Sequence, residues 1–255
     1  MKVLIVGTGG YIGEQFAVYA SKKFIVDKTD SYNGWRSCNF ANYDAVMFAA
    51  GIAHRKQTKK NSSLYFAINR DLAIEVAQKT KASNVPLFIY LSSMAVFGKK
   101  EGKITANTKP LPAHNDYYGQ SKRQAELELV SLQTETFKTA IVRPPMVYGE
   151  NCPGKYRLLE KLAKFLPFVP CNNNKRSVIH VDNLSEFLCK IIAGTNNGVF
   201  FHPQDPQYTS TSAMVAEIRR KSGKSTTVFK AGALIRFAAA MLPFVKTAYG
   251  TLYYE

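Results

Sequence analysis

Along the first half of the chain, short runs dominated by apolar residues alternate with longer stretches whose apolar positions recur every three or four residues. "KVLIV" (2–6), "FIV" (24–26), "AVMFAA" (45–50), "PLFIYLS" (86–92) and "TAIVRP" (139–144) have the length and composition of strands buried on both faces of a parallel sheet. Between them, residues 11–22, 64–82 and 117–133 carry helical spacing. This alternation predicts an α/β fold, a doubly wound parallel sheet with helices on both faces. After residue 145 the rhythm gives way to loops rich in Pro, Asn and Lys. There "SVIHV" (177–181) and "GVFFH" (198–202) read as strands returning to the sheet. The expected organisation is therefore a sheet domain over 1–145 and, over 146–255, mainly a small C-terminal substrate-binding cap.

Composition adjusts this picture at a few points. The 255 residues are 46% hydrophobic, enough for one sizeable core and a smaller appendage. The longest apolar stretch, "AGALIRFAAAMLPFV" (231–245), falls short of the ~20 residues of a membrane span and holds Arg236 and Pro243. It reads as a surface helix packing on the core or as a segment lying on a membrane. Net charge is +16, with a pI near 9.6. The basic residues are spread along the chain, not gathered in one stripe, which argues against a nucleic-acid partner. The same field would draw in a dinucleotide, a nucleotide sugar or an anionic membrane surface. Cys38, Cys152, Cys171 and Cys189 form no CxxC pair, and the start "MKVLIVGTGG" is a strand entering glycines, not a signal peptide. A reduced, cytoplasmic chain is expected, with the inner membrane face as an alternative location. The abrupt ending "GTLYYE" is compatible with truncation. His54, His114, His180 and His202 lack metal-ligand spacing, so no metal is expected. "SGKST" (222–226) is similar to a phosphate loop, but Ile218 stands where its leading glycine belongs. The sequons at Asn61 and Asn183 would be idle in a cytoplasmic protein.

Three segments carry chemistry. Gly7, Gly10 and Gly13 of "VGTGGYIG" follow the first strand and open the first helix. Glycines there permit a tight turn and close approach of a pyrophosphate, with the helix N-terminus facing the anion. Asp30, 17 residues after Gly13, is near the ~20-residue offset of a ribose-binding acid and favours NAD. Arg36 could instead serve a 2′-phosphate, and Asp27 competes if the second strand ends earlier. In "NDYYGQSKRQAE" (115–126), Tyr118 and Lys122 lie four apart, on one helix face. A neighbouring ammonium would bring the phenol pKa down from about 10, making Tyr118 the acid–base candidate. Tyr117 has Ser121 beneath it and is read as packing or touching substrate. Ser93, after the strand in "YLSSMAVFG" (90–98), could give a hydrogen bond to the oxygen that Tyr118 protonates.

Together "GTGGYIG", "AVMFAAG", "LSSMAVFG" and "YYGQSK" resemble the extended short-chain dehydrogenase/reductase family, in particular its nucleotide-sugar epimerases and reductases. "VRPPMVYGENCPG", "NNNKRSVIHVDNL" and "HPQD" are similar to bacterial capsule and O-antigen enzymes that reduce the 4-keto group of UDP-activated 6-deoxy-N-acetylhexosamines. The resemblance implies a Rossmann-like domain binding NAD(P)(H). Its catalytic triad would be Ser93, Tyr118 and Lys122, the last two also touching the cofactor. Gly7, Gly10, Tyr11, Ile12 and Gly13 would hold the dinucleotide, with Asp30 on the adenosine ribose. Ala49, Ala50, Gly51, Asn69 and Pro144 would lie along it. Ser93, Met94, Tyr117, Met146 and Arg176 would contact the UDP-sugar, Arg176 gripping the diphosphate. A homodimer through the YxxxK helix is also implied. Phe97 and Met146 depart from the 4-epimerases, which usually have Tyr and Asn there, and so favour a 4-ketoreductase. A UDP-hexose or UDP-N-acetylhexosamine 4-epimerase, acting on a free or lipid-linked sugar, and a non-catalytic dinucleotide sensor stay as alternatives.

Overall fold

A computed structural model describes residues 1–53, 55–171 and 174–255. His54, and two of the asparagines in "NNNKR", lie outside the described residues. In chain order the first half contains β1 (Lys2–Val6), α1 (Tyr11–Ala20), β2 (Ile25–Thr29), α2 (Gly34–Ser37), β3 (Ala45–Phe48), α3 (Ser62–Phe66), α4 (Leu72–Ala82), β4 (Leu87–Leu91), β5 (Gly102–Ile104), α5 (Tyr117–Ser131) and β6 (Lys138–Val142). The remainder contains β7 (Met146–Tyr148), α6 (Lys155–Ala163), β8 (Phe168–Cys171), β9 (Val178–His180), α7 (Val181–Ile192), β10 (Phe200–Phe201), α8 (Thr211–Lys221), β11 (Thr227–Lys230), α9 (Gly232–Met241), α10 (Pro243–Tyr249) and β12 (Leu252–Tyr254).

Six of these strands pair in the order β10-β6-β4-β3-β1-β2, every pair parallel. Residues of β1, β3 and β4 are buried on both faces, which is why they read as continuous apolar runs. One face of the sheet carries Leu4, Val6, Val46, Phe48, Phe88 and Tyr90 against Trp35, Phe40, Val76 and Ala77, and against Ala125 and Leu129 of α5. Each fully buried phenylalanine contributes roughly 1.5–3 kcal/mol relative to exposure. The chain leaves β1 for β2 on one side and returns to β3 on the other. The strand order thus reverses between β1 and β3, and a ligand crevice forms beyond the carboxyl ends of strands at such a point.

Of the two strands expected to return to the sheet, only β10 does so, alongside β6. The three residues of β9 run directly into α7, which packs on α1, and β9 stays outside the six-stranded sheet.

The chain divides into two compact units. The first comprises 1–98, 109–144 and 179–203, and the second 99–108, 145–178 and 204–255. The segment 99–108 belongs to the second unit because β5 pairs in parallel with β12, from Gly102 opposite Leu252 to Ile104 opposite Tyr254. In that unit β8 also pairs with β11. Buried Arg219 on α8 donates to the carbonyls of Ala163, Lys164 and Ser225, closing off the end of α6. The apolar stretch 231–245 is split between α9 and α10, with Pro243 opening the second helix, where its missing N–H is harmless. Among the described residues no helix is long and apolar enough to cross a membrane.

Candidate active site

The glycine turn is shaped by what lies beneath it. Gly7 adopts φ +112°, and a Cβ there would stand 2.5 Å from the Ala50 backbone nitrogen. A Cβ on Gly13 would stand 2.9 Å from that of Ala49. Ala49 and Ala50 both donate backbone N–H groups to the Val6 carbonyl, so the ends of β1 and β3 are drawn together under the turn. Helix α1 then starts at Tyr11 and Ile12 with Gly10 as N-cap and no side-chain cap, so its first N–H groups face outward. Glu14 accepts the Gly9 N–H at 3.0 Å and pairs with Lys28 at 2.6 Å. This cradle fits a dinucleotide pyrophosphate: the glycines let β1, β3 and α1 pack closely, and no side chain caps the N-terminus of α1.

Strand β2 ends at Thr29. Asp30 follows the strand, half-buried, and accepts the N–H groups of Tyr32, Asn33 and Gly34. These bonds hold its carboxyl below the usual carboxylate range. Asp27 lies inside β2 and is held by Lys2 at 3.0 Å and the Tyr43 hydroxyl at 2.9 Å. Arg36 pairs with Glu75 at 2.9 Å and stacks on the Trp35 ring.

The catalytic candidates converge from two elements. Ser93 follows β4 and caps the turn 94–97, its hydroxyl accepting the Ala95 N–H at 3.1 Å. Asp116 caps α5 by accepting the Gly119 N–H at 3.0 Å, which presents Tyr118 in the first turn. The Tyr118 phenol is near enough to Ser93 for that hydroxyl to favour the phenolate. Burial raises the pKa of this phenol, with Ser93 opposing the rise. The lowering expected from Lys122 is not present. The Lys122 ammonium donates to the Leu91 carbonyl at 2.7 Å and sits 4.5 Å from the centre of the Tyr90 ring. Burial lowers the Lys122 pKa to about 7, opposed by the Glu126 carboxylate one turn on.

Several surrounding residues carry no sequence signal of their own. Gln57 accepts the Tyr118 N–H at 2.9 Å and donates to Asp116 at 3.1 Å, clamping the start of α5. Gly119 is required by packing: a Cβ there would lie 2.5 Å from Asp116 Oδ2 and 3.1 Å from the Ala95 carbonyl. A glycine in a first helical turn was its only visible mark. Glu126, wholly buried, accepts Ser92 Oγ at 2.5 Å, Arg143 at 2.8 and 2.7 Å, and Arg123 at 3.1 Å. His202 approaches Arg143 at 3.3 Å, and burial with that guanidinium lowers its pKa to about 4.

Other predicted residues fall into place around this centre. Asn69, also wholly buried, accepts the Ile52 N–H at 2.8 Å and donates to the Ile52 carbonyl and Ser121. It sits in a π-helical segment, Ala67–Asp71, and its hydrogen bonds hold the Ile52 backbone next to Gly51. Gly51 lies against Asn69 Oδ1 and Lys122 Nζ, and a Cβ there would meet them at 3.1 and 3.5 Å. The Pro144 carbonyl accepts the Met94 N–H at 3.0 Å, tying the chain after β6 to the Ser93 turn. Tyr117 is half-buried in the first turn of α5. Phe97 is buried with its ring against Arg143 and His202, so its lack of a hydroxyl says little about the sugar. Met146 and Arg176 belong to the second unit. There Arg176 Nη1 donates to the carbonyls of Thr247, Ala248 and Gly250, closing the end of α10.

Comparison with known proteins shows the family and the fold. A family model described as "NAD dependent epimerase/dehydratase family" matches residues 3–201. The UDP-glucose 4-epimerase of Vibrio cholerae is 31% identical over 196 residues, 72% of this chain and 59% of that protein's length. The N-acetyl-alpha-D-glucosaminyl-diphospho-ditrans,octacis-undecaprenol 4-epimerase of Escherichia coli O157:H7 is 26% identical over 246 residues, 87% of this chain and 72% of that protein. A solved UDP-glucuronic acid 4-epimerase from Bacillus cereus in complex with NAD superposes with a TM-score of 0.74 at 16% identity. It covers 100% of this chain and 90% of that one. At that identity the likeness is one of fold.

Proposed function

The chain belongs to the NAD dependent epimerase/dehydratase family, and on that premise we propose that it carries out dinucleotide-dependent oxidoreduction at C4 of a UDP-activated sugar. The net reaction is reduction of the 4-keto group of a UDP-4-keto-6-deoxy-N-acetylhexosamine, in bacterial surface polysaccharide biosynthesis. The observation that carries the reading is Ser93 beside the Tyr118 phenol, with Lys122 one turn further along α5, in the same unit as the Gly7–Gly13 cradle.

The dinucleotide, when bound, supplies the hydride. Gly7, Gly10 and Gly13 with the start of α1 would hold its pyrophosphate, and Asp30 its adenosine ribose. Asp30 at the end of β2, with Arg36 committed to Glu75, supports NAD over NADP. Tyr118 gives its proton to the sugar O4 as negative charge builds there, and Ser93 donates a hydrogen bond to the same oxygen. Lys122 keeps N–H donors beyond the one given to Leu91, available to the nicotinamide ribose. Met94 and Tyr117 are proposed as sugar-nucleotide contacts.

A second reading is 4-epimerisation of a UDP-sugar or of its lipid-linked counterpart. It is favoured by the two 4-epimerase relatives and by the burial of Phe97, which removes a sequence argument against it. One experiment separates the readings. Purified protein is given a UDP-4-keto-6-deoxy-N-acetylhexosamine with NADH or NADPH, and separately UDP-GlcNAc or UDP-glucose without added cofactor. Reduced cofactor consumed in step with the keto sugar is the expected result. Interconversion of C4 epimers in the second arm, with no turnover in the first, would replace the reductase by the epimerase.

A further inference from the structure

The second unit exposes apolar side chains in an ordered way. Helix α6 buries Tyr156 and Ala163 yet turns Leu158 and Leu162 to solvent, 59% and 50% exposed. Just past its end Phe165 is 81% exposed, and Phe168, which opens β8, is 65% exposed. Positions 158, 162 and 165 follow helical spacing, so they make a stripe and not a scatter of single residues. The parallel register sets Phe168 opposite Thr227 and Pro170 opposite Phe229. Phe229, also exposed, therefore lies on the same face of this ribbon as Phe168. On α9, which packs on β8, exposed Phe237 and Met241 repeat the four-residue spacing.

Cations outnumber acids around these residues. Exposed Arg157, Lys161 and Lys164 interleave with the α6 stripe, against one half-buried carboxylate, Glu160. Between Glu217 and Glu255 the chain carries seven lysines and arginines and no acid. Six of the seven are exposed, the exception being Arg219; of the six, Arg220 and Lys221 pair with Glu217, and Lys246 with Glu101. A second copy of the chain would bring two +16 molecules together through their cationic faces. A nucleic acid would satisfy the cations but offer Leu158 and Leu162 nothing apolar to enter. An anionic bilayer answers both features, with headgroups for the cations and the acyl boundary for the leucines and phenylalanines.

We propose that this face of the second unit, centred on Leu158, Leu162, Phe165 and Phe168, docks on an anionic lipid bilayer and lies in its interface. The contact is independent of the catalytic reading, which rests on the first unit.

Flotation of the whole chain with vesicles tests it. One set is pure phosphatidylcholine, and the other contains roughly a third phosphatidylglycerol. The protein is expected to rise with the anionic set alone, and the bound fraction should fall as salt is raised. Leu158→Glu with Phe165→Glu should cut that fraction about tenfold or more, and Lys161→Glu with Lys164→Glu several-fold. These side chains are largely solvent-exposed, so an unchanged urea midpoint and unchanged dinucleotide binding identify folded variants. Absence of wild-type flotation, or flotation of the leucine–phenylalanine variant equal to wild type, overturns the proposal. So does a concentration-dependent dimer, or duplex DNA binding, that the same variants abolish while lipid binding stays absent.

Discussion

The two halves of α5 treat buried charge in opposite ways. Its first half holds Lys122, buried, with a carbonyl and an aromatic ring as neighbours and its pKa brought down to about 7. One turn later Glu126 is buried too, but receives hydrogen bonds from Ser92, Arg123 and Arg143. The second arrangement is satisfied and rigid. The first is left short of partners, as expected of a group reserved for a ligand. The two are linked through neighbours, since Ser92 precedes Ser93, and Arg143 precedes Pro144, whose carbonyl holds the Ser93 turn. The satisfied half fixes the geometry within which the unsatisfied half can work.

The largest effect that sharpens this contrast is in the half proposed as catalytic. Tyr118→Phe keeps the ring and removes the proton, so kcat should fall about 10²–10⁴-fold with dinucleotide affinity unchanged, as measured by turnover and by cofactor fluorescence. Near-wild-type turnover would take the acid role away from Tyr118. The next effect falls in the structural half. Glu126→Gln leaves Arg143 buried without its counter-charge, and removing one partner of such a pair costs about 3–5 kcal/mol. Urea unfolding should show that loss, and kcat should drop as the Ser93 turn loosens. A variant as stable as wild type would mean that the contrast between the two halves is not real.

Sequence reading reached the elements set by local pattern. The strands and helices of the first unit follow from their periodicity, and Tyr118 and Lys122 from helix spacing. The glycine turn was legible because glycine is the only residue that Gly7 and Gly13 tolerate against Ala50 and Ala49. What escaped depends on distant segments meeting. Gln57 clamps a helix that begins 60 residues later in the chain, at Tyr117. β5 finds its partner in β12 near the other end of the described chain. The Lys122 effect was misjudged for the same reason. Helix spacing showed a cation below a phenol, but only the packed structure shows that burial, not that cation, governs both groups.

The last prediction tests that burial directly. The ordinary lysine pKa is 10.5, and in the fold that of Lys122 is lowered to about 7. Between these values the unfolded chain binds a proton that the folded chain does not, so stability rises with pH across this window. Below about pH 7 both states carry the proton and the folded protein bears the full desolvation cost. Above 10.5 both are neutral and the cost is gone. Lys122→Met fills a similar volume without a charge and lacks this dependence. The stability of wild type minus that of Lys122→Met, from urea unfolding at several pH values between 7 and 10, should therefore climb with pH. Taking the difference cancels groups common to both proteins, including His202, whose pKa of about 4 puts its titration below the window. A flat difference would mean that Lys122 is well solvated or well paired. The first half of α5 would then resemble the second, and the case for a lysine held in readiness for a ribose would go with it.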